Sequence, residues 1–283
     1  MTEGGNEAGR LSGLLDRWRS DLAAWAIPEH ITAAVEQSPW VLPREVFVRR
    51  ADRVAAAPSG PSFERAWAAL DPPGSVLDVG SGAGTASLPL LPRCTALTAV
   101  DSQPDLLEEL AKRAAAADVE PRLVCGQWPE MAGEAGTADV VTCHHVIYNV
   151  PGIEPFLTAL TAAAHRVVVV ELAASHPLVS LNELWLRFHG LTRPTGPTAE
   201  DVRAILAAMG LHASSRRWRR PAGRDYASFA EMVEVTRRRV CLPPERSAEV
   251  AEALTERGVD PEHPVDLGSS GSEVVTFWWD GRG

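Results

Sequence analysis

The stretch Val76-Leu-Asp-Val-Gly-Ser-Gly-Ala-Gly-Thr85 decides the fold. Its first four residues read as a short buried strand, and the chain then enters three glycines at alternate positions. Gly80, Gly82 and Gly84 reach backbone angles closed to other residues and place no side chain between a ligand and the main chain. A helix expected from about Thr85 adds unpaired N–H groups and a positive dipole end at the same spot. A strand feeding such a turn binds a nucleotide-like ligand. The dinucleotide fingerprint, however, requires Gly-x-Gly-x-x-Gly. Here the spacing is Gly-x-Gly-x-Gly with Thr85 next, and Asp78 stands two residues before the first glycine. A carboxylate there repels a pyrophosphate and suits an ammonium group, so a cationic ligand is expected.

Working outward, short apolar runs alternate with helical patterns. Strands are expected at 76–79, 96–101, 121–125, 138–143 and 166–171, with helices near 84–91, 104–117 and 153–164. Leu211 to Arg219 and Ser272 to Trp279 read as two further strands, with helices over Tyr226 to Arg239 and Ser247 to Arg257. This alternation predicts an α/β fold, a doubly wound, mostly parallel seven-stranded sheet whose ligands sit beyond the carboxyl ends of the strands. Two more stations lie at those ends. Asp101, with Ser102, closes the second strand 17 residues beyond Gly84 and is placed to hold a ribose. Gln127 and Trp128 follow the third, an amide and a flat ring suited to an adenine.

These three stations, over about Ser75 to Glu171, resemble the class I S-adenosylmethionine-dependent methyltransferases, and Val274-Val-Thr-Phe-Trp-Trp279 is consistent with the last strand of that family. The resemblance implies S-adenosyl-L-methionine as cofactor. Asp78, Gly80, Ser81, Gly82 and Gly84 would hold its methionine portion, Asp101 and Ser102 the ribose, and Gln127 and Trp128 the adenine, with His144 packed nearby. It implies methyl transfer to a small organic acceptor at oxygen or nitrogen, by in-line displacement in a capped pocket. The composition and the His144-His-Val-Ile-Tyr-Asn149 segment resemble actinobacterial members, which implies secondary metabolism. RNA or protein methyl transfer, and a catalytically silent partner protein, are the rival expectations.

The polypeptide of 283 residues carries 27 Lys and Arg against 37 Asp and Glu, a net charge of −10, which disfavours a nucleic-acid surface. No apolar run is long enough to span a bilayer, and a cytoplasmic monomer or homodimer is expected. Cys94, Cys125, Cys143 and Cys241 are scattered and read as buried reduced thiols. No His/Asp/Glu cluster has metal-ligand spacing, so no metal is expected.

Residues 1–70 read as an N-terminal helical cap, with Leu11, Leu14, Leu15, Trp18, Leu22 and Trp25 on one helix face, and 71–283 as the sheet domain. Within it, about 175–197 leaves the repeat as a helical insertion over the mouth. Trp40, Phe47, Trp185 and Phe188 are aromatic candidates for the acceptor pocket, with Tyr148 and Asn149. The fourth strand ends in Cys143-His-His-Val146, not in the Asn/Asp-Pro-Pro-aromatic turn of adenine or glutamine methyltransferases. His145 is the candidate general base. Arg49 and Arg50 precede the sheet where an arginine would meet the cofactor's carboxylate, and Arg237, Arg238 and Arg239 read as complements to a helix dipole.

Overall fold

Seven strands pair in the order β3-β2-β1-β4-β5-β7-β6. They are β1 Gly74–Val79, β2 Cys94–Asp101, β3 Arg122–Cys125, β4 Ala138–His144, β5 Ala164–Ala173, β6 Ser214–Arg219 and β7 Glu273–Asp280. The computed structural model describes residues 3–33, 35, 38–40, 42–268 and 272–282. All pairs among β1 to β5 are parallel, and β7 runs antiparallel between β5 and β6. The carboxyl ends of β1, β2, β3 and β4 therefore meet at one edge, which gathers Asp78, Asp101, Gln127 and His144 although they are far apart in sequence.

Alternate residues of the central strands face opposite layers, as the pleat requires. Leu77, Val79, Val141 and Cys143 pack with the helices Glu3–Ala23, Ile153–Ala163 and Ala199–Ala208. Val76 and Val140 face the other way, against Arg44–Ala56, Pro61–Ala69 and Pro104–Ala115. The helix Ala199–Ala208 starts in a capping box, with Thr198 N–H and Oγ1 both donating to Asp201. A third core lies outside the sheet: Leu184, Trp185, Met232, Val235, Val250 and Leu254 join the helices Asn182–His189, Phe229–Arg239 and Ser247–Glu256. The segment expected as an insertion thus shares its core with 226–259, while the first helix belongs to the sheet.

One expected element differs. The segment after the glycine turn is not an α-helix from Thr85 but a run of turns leading to a 3-10 helix, Leu88–Arg93. Pro89 and Pro92 lack the N–H groups an α-helical ladder needs, so the tighter form results. The anion-attracting helix end invoked from sequence is therefore missing at this loop.

The first helix and the turn after it hold the site from behind. Trp18 Nε1 donates to Val150 O at 2.8 Å and Trp25 Nε1 to Gly196 O at 2.6 Å, tying down the loop after β4 and the segment after β5. The cysteines are free; Cys143 and Cys241 are buried, but contrary to expectation Cys94, at the start of β2, is half-buried, and Cys125 is exposed because β3 is short and lies at the sheet edge. Among the described residues no helix is long and apolar enough to cross a membrane.

Candidate active site

A cleft of about 520 Å³ opens over the carboxyl ends of β1 to β4. It is lined by Asp78, Gly80, Ser81, Gly82, Asp101, Ser102, Gln127, Trp128, His144, His145, Tyr148 and Asn149. Trp40 and Phe47 line the same cleft from the N-terminal segment, Trp40 at its exposed rim. Three residues expected here lie elsewhere. Gly84 faces away: a Cβ on it would meet Leu88 at 2.7 Å, so its role is to pack loop against core. Trp185 is buried in the third core beside Arg193 and His189, and Phe188 sits under Arg187 and Arg246. Their apolar stripe is satisfied by the neighbouring helices and not by the cleft.

The glycine loop bends tightly under the sheet. Gly80 and Ser81 N–H both donate to Val100 O, and Gly82 N–H donates to Asp101 Oδ2 at 2.8 Å. Gly80 has φ +68, and a Cβ there would stand 2.2 Å from Val146 Cγ2, so no other residue fits without movement. Asp101 Oδ1 accepts from Gln103 N–H at 2.9 Å. Burial raises the Asp101 carboxyl above its ordinary value, against the N–H groups of Gln103 and Gly82. Trp128 is largely buried, and its Nε1 donates to Phe156 O at 3.3 Å, leaving only its ring for a ligand. Gln127 is exposed at the mouth.

Asp78 pairs in register with Thr142, whose Oγ1 donates to Asp78 Oδ1 at 2.9 Å. Burial pushes the Asp78 carboxyl up to about 6, against the lowering effect of neighbouring Ser87 and Thr142. Its Oδ2 is buried with no hydrogen-bond partner of acceptable geometry, and so are Ser81 Oγ and His144 Nε2. Three unsatisfied polar groups along one cleft are unusual, since more than about nine-tenths of such groups are paired in folded proteins. A bare backbone turn, an unsatisfied carboxylate and a second carboxylate fixed by two N–H groups fit a ligand with an ammonium at one end and a ribose further along. This is the polarity of S-adenosylmethionine.

Beyond His144 the chain turns sharply, with His145 at φ +60, a left-handed conformation that costs a non-glycine residue about 1–2 kcal/mol. His145 N–H donates to Glu171 O at 2.7 Å, and its ring lies between Glu171 Oε1 and Tyr148 Oη, each at 3.1 Å. Glu171 accepts from His145 Nε2, which leaves Nδ1 to accept the Tyr148 hydroxyl proton. Behind them, Arg220 Nη2 donates to Glu171 Oε1 and Ser62 Oγ to Oε2. Thr276 Oγ1 bonds Ser62 at 2.6 Å and accepts from Trp218 Nε1 at 3.0 Å. Burial alone would raise the Glu171 carboxyl; the Arg220 guanidinium and the His145 bond override it and hold it well below its ordinary value. Burial first and Arg220 second lower His145 to about 4, and burial pushes the Tyr148 phenol up, so both are neutral at pH 7.

Sequence reasoning missed Glu171, Arg220 and Ser62. Glu171 had a signal: a lone carboxylate closing the buried run Val167–Val170 must find a partner. Arg49 and Arg50 do not stand free. Arg50 Nη2 donates to Asp225 at 2.7 Å, and Arg49 bonds Asp225 O and Glu231, although Arg50 does line the cleft. Arg239, read as a dipole complement, also lines the cleft. His176 forms its wall between Trp25, stacked at 4.3 Å, and Tyr148, edge-on at 5.5 Å.

Residues 76–170 match the family model described as a methyltransferase domain. Among solved structures, the chain is similar to a cyclopropane-fatty-acyl-phospholipid synthase-like protein from Lactobacillus casei, at 14% identity over 89% of this chain and 98% of that one, with a TM-score of 0.51. It is also similar to the YcgJ protein from Bacillus subtilis, at 14% identity over 83% and 98% of the two chains with a TM-score of 0.49. A third, a magnesium protoporphyrin IX methyltransferase from Synechocystis with bound SAH, is 22% identical over 64% and 79%, with a TM-score of 0.45. No curated protein sequence matches. At 14% identity the Lactobacillus casei structure speaks to the fold alone; the matched family model covers β1 through β5, the strands that carry the glycine turn, both carboxylates and the histidine pair. Residues 76–170, the part of the chain that builds the cleft, therefore form a methyltransferase domain, and S-adenosylmethionine is its cofactor.

Proposed function

We propose that this enzyme methylates an oxygen or nitrogen atom of a small organic acceptor, with His145 and Tyr148 handling the acceptor's proton. Asp78 and Ser81 and the backbone at Gly80 and Gly82 hold the methionine part of the cofactor, beside His144. Asp101 and Ser102 hold the ribose, and Gln127 and the ring of Trp128 the adenine. The cleft, at about 520 Å³, lies within the roughly 300–1,000 Å³ of small-molecule sites and serves cofactor and acceptor together, so the acceptor is small. Trp40, Phe47 and Asn149 complete its walls.

The cofactor supplies a methyl group on a sulfonium, which needs alignment more than activation. The observation that carries the reading is the buried relay Glu171–His145–Tyr148 opening on the cleft. Tyr148 donates its hydroxyl hydrogen bond to His145 Nδ1, so its oxygen lone pair accepts from an acceptor hydroxyl, and as the acceptor's proton moves onto that oxygen the phenol's own proton passes to Nδ1. At about 4, His145 is too weak a base to ionise a phenol beforehand. It is basic enough to drain the proton of a newly methylated oxygen, which is far more acidic. Glu171 then faces the imidazolium and stabilises it.

The test uses a panel of phenols and amines, with S-adenosylhomocysteine release as the readout, and calorimetry with S-adenosylhomocysteine. His145→Gln lowers kcat on hydroxyl acceptors about 10²–10⁴-fold while cofactor affinity stays within about twofold. Unchanged kcat removes His145 from the mechanism. Failure of the wild-type protein to bind S-adenosylhomocysteine overturns the cofactor site.

A further inference from the structure

The cleft holds a cation that the methyl-transfer machinery does not use. Arg239 ends the helix Phe229–Arg239, lines the cleft, and among the described residues takes part in no ion pair. Its Nε is buried with no hydrogen-bond partner. The neighbouring arginines are occupied: Arg50 and Arg53 share Asp225, at 2.7 and 2.5 Å, and Arg50 also approaches Asp266 at 3.7 Å. Asp266, in turn, accepts from the Tyr226 hydroxyl at 3.3 Å. Arg50 and Arg53 are thus held by these carboxylates, whereas among the described residues no ion pair reaches Arg239. The side chain is half-buried, and a desolvated N–H left without an acceptor is costly. Resting on the methyl-transfer reading above, we propose that Arg239 binds an anionic group of the methyl acceptor, a carboxylate or a phosphate.

Position supports the assignment. His176 is one ring out from Tyr148, and Arg239 lies close enough to His176 to help depress its basicity, after burial. Reacting atom and anion thus lie at opposite ends of one acceptor, with Tyr148 and Arg239 as the two contacts. On its other side Arg239 borders a void of only about 10 Å³, shared with Tyr226 and Met232. That space is about one water in size, so a ligand group must arrive from the cleft. The planar fork of the guanidinium matches the two oxygens of a carboxylate.

The experiment titrates the S-adenosylhomocysteine complex with benzoate, 4-hydroxyphenylacetate and indole-3-acetate, each beside its amide, and with phenylphosphonate. Wild-type protein binds at least one acid, or the phosphonate, about tenfold or more above the neutral analogue, the worth of a hydrogen-bonded charge pair. Tighter binding of acid or phosphonate tells which anion fits. Arg239→Gln abolishes the preference and leaves S-adenosylhomocysteine affinity unchanged. Arg239→Lys, read if the Gln variant does not fold, keeps the charge, loses the fork and retains a smaller preference. Equal binding of acids and amides, no saturable binding of any anion, or a preference that survives both substitutions overturns the proposal. A tenfold loss of S-adenosylhomocysteine affinity in Arg239→Gln overturns it too, by placing the guanidinium on the cofactor's carboxylate. Wild-type binding of S-adenosylhomocysteine separates these failures from failure of the cofactor site.

Discussion

Replacing Asp78 by Asn separates what this carboxylate does for the ligand from what it costs the fold. The folded protein raises the Asp78 carboxyl from 3.8 to about 6 because the group is buried with one oxygen unpaired. A group whose folded value lies above its unfolded one supports the fold fully below the unfolded value, and that support is lost as pH climbs through the folded value. Between pH 3.8 and about 6, then, ionisation of Asp78 removes about 3 kcal/mol from the ligand-free protein. Asn keeps the shape and the bond from Thr142 without the charge. Asp78→Asn is expected to be more stable than wild type by about 1–3 kcal/mol at pH 8, the lower figure allowing for a weaker bond from Thr142. The margin is about 1.4 kcal/mol smaller at pH 5. Binding moves the opposite way, because an ammonium beside Asp78 requires the ionised form. Wild-type affinity for S-adenosylhomocysteine falls about tenfold per pH unit below pH 6, and that of Asp78→Asn is weak and flat. Urea denaturation and calorimetry at pH 5 and 8 measure both. An Asn variant less stable than wild type at pH 8, or a wild-type affinity equal at the two pH values, refutes the reasoning.

Gly80→Ala adds a left-handed backbone cost of about 1–2 kcal/mol to about 1–3 kcal/mol of overlap with Val146. Denaturant titration should show that Val146→Ala in the same chain recovers the second part only. Asp101→Ala strands the N–H groups of Gly82 and Gln103 and weakens S-adenosylhomocysteine about 10–100-fold by calorimetry, with the glycine loop less protected in hydrogen exchange. Glu171→Gln leaves Arg220 buried without its counter-charge and lowers stability by about 3–5 kcal/mol in urea titration. Arg220→Met in the Glu171→Gln background should regain part of that loss.

The sheet was legible because its strands are short apolar runs bounded by turn residues, and the three stations because each closes such a run. The 3-10 segment after Gly84 was not, since the leucines of Leu88-Pro-Leu-Leu-Pro92 mimic helical spacing while the prolines that forbid the ladder lie between them. His145 and Tyr148 stood out as polar residues past a strand end. Their partner Glu171 was within reach as a charge after a valine run, but Arg220 was not. It reaches Glu171 only because β7 inserts antiparallel between β5 and β6, an order that no local pattern encodes. Trp185 and Phe188 show the converse limit: a stripe at helical spacing announces a buried face without saying which surface buries it, and here the partner lies some fifty residues downstream.

Among the carboxylates that serve this cleft, Asp78 and Glu171 are driven apart by their surroundings. Both are almost completely buried, so desolvation acts against ionisation in each. Glu171 has a guanidinium, a hydroxyl and an imidazole on its oxygens, and stays ionised far into acid. It is therefore a fixed negative charge whose effect falls on the ring of His145. Asp78 has one threonine bond, no cation in contact and a free oxygen, and sits near neutrality. A fixed charge orients a neighbour, whereas an unsatisfied one waits for a ligand. The same contrast separates Arg220, matched by Glu171, from Arg239, which among the described residues has no counter-charge. In a cleft where matched charges belong to the fold, the unmatched pair, Asp78 and Arg239, is where the proposed reading puts the opposite charges of the two ligands.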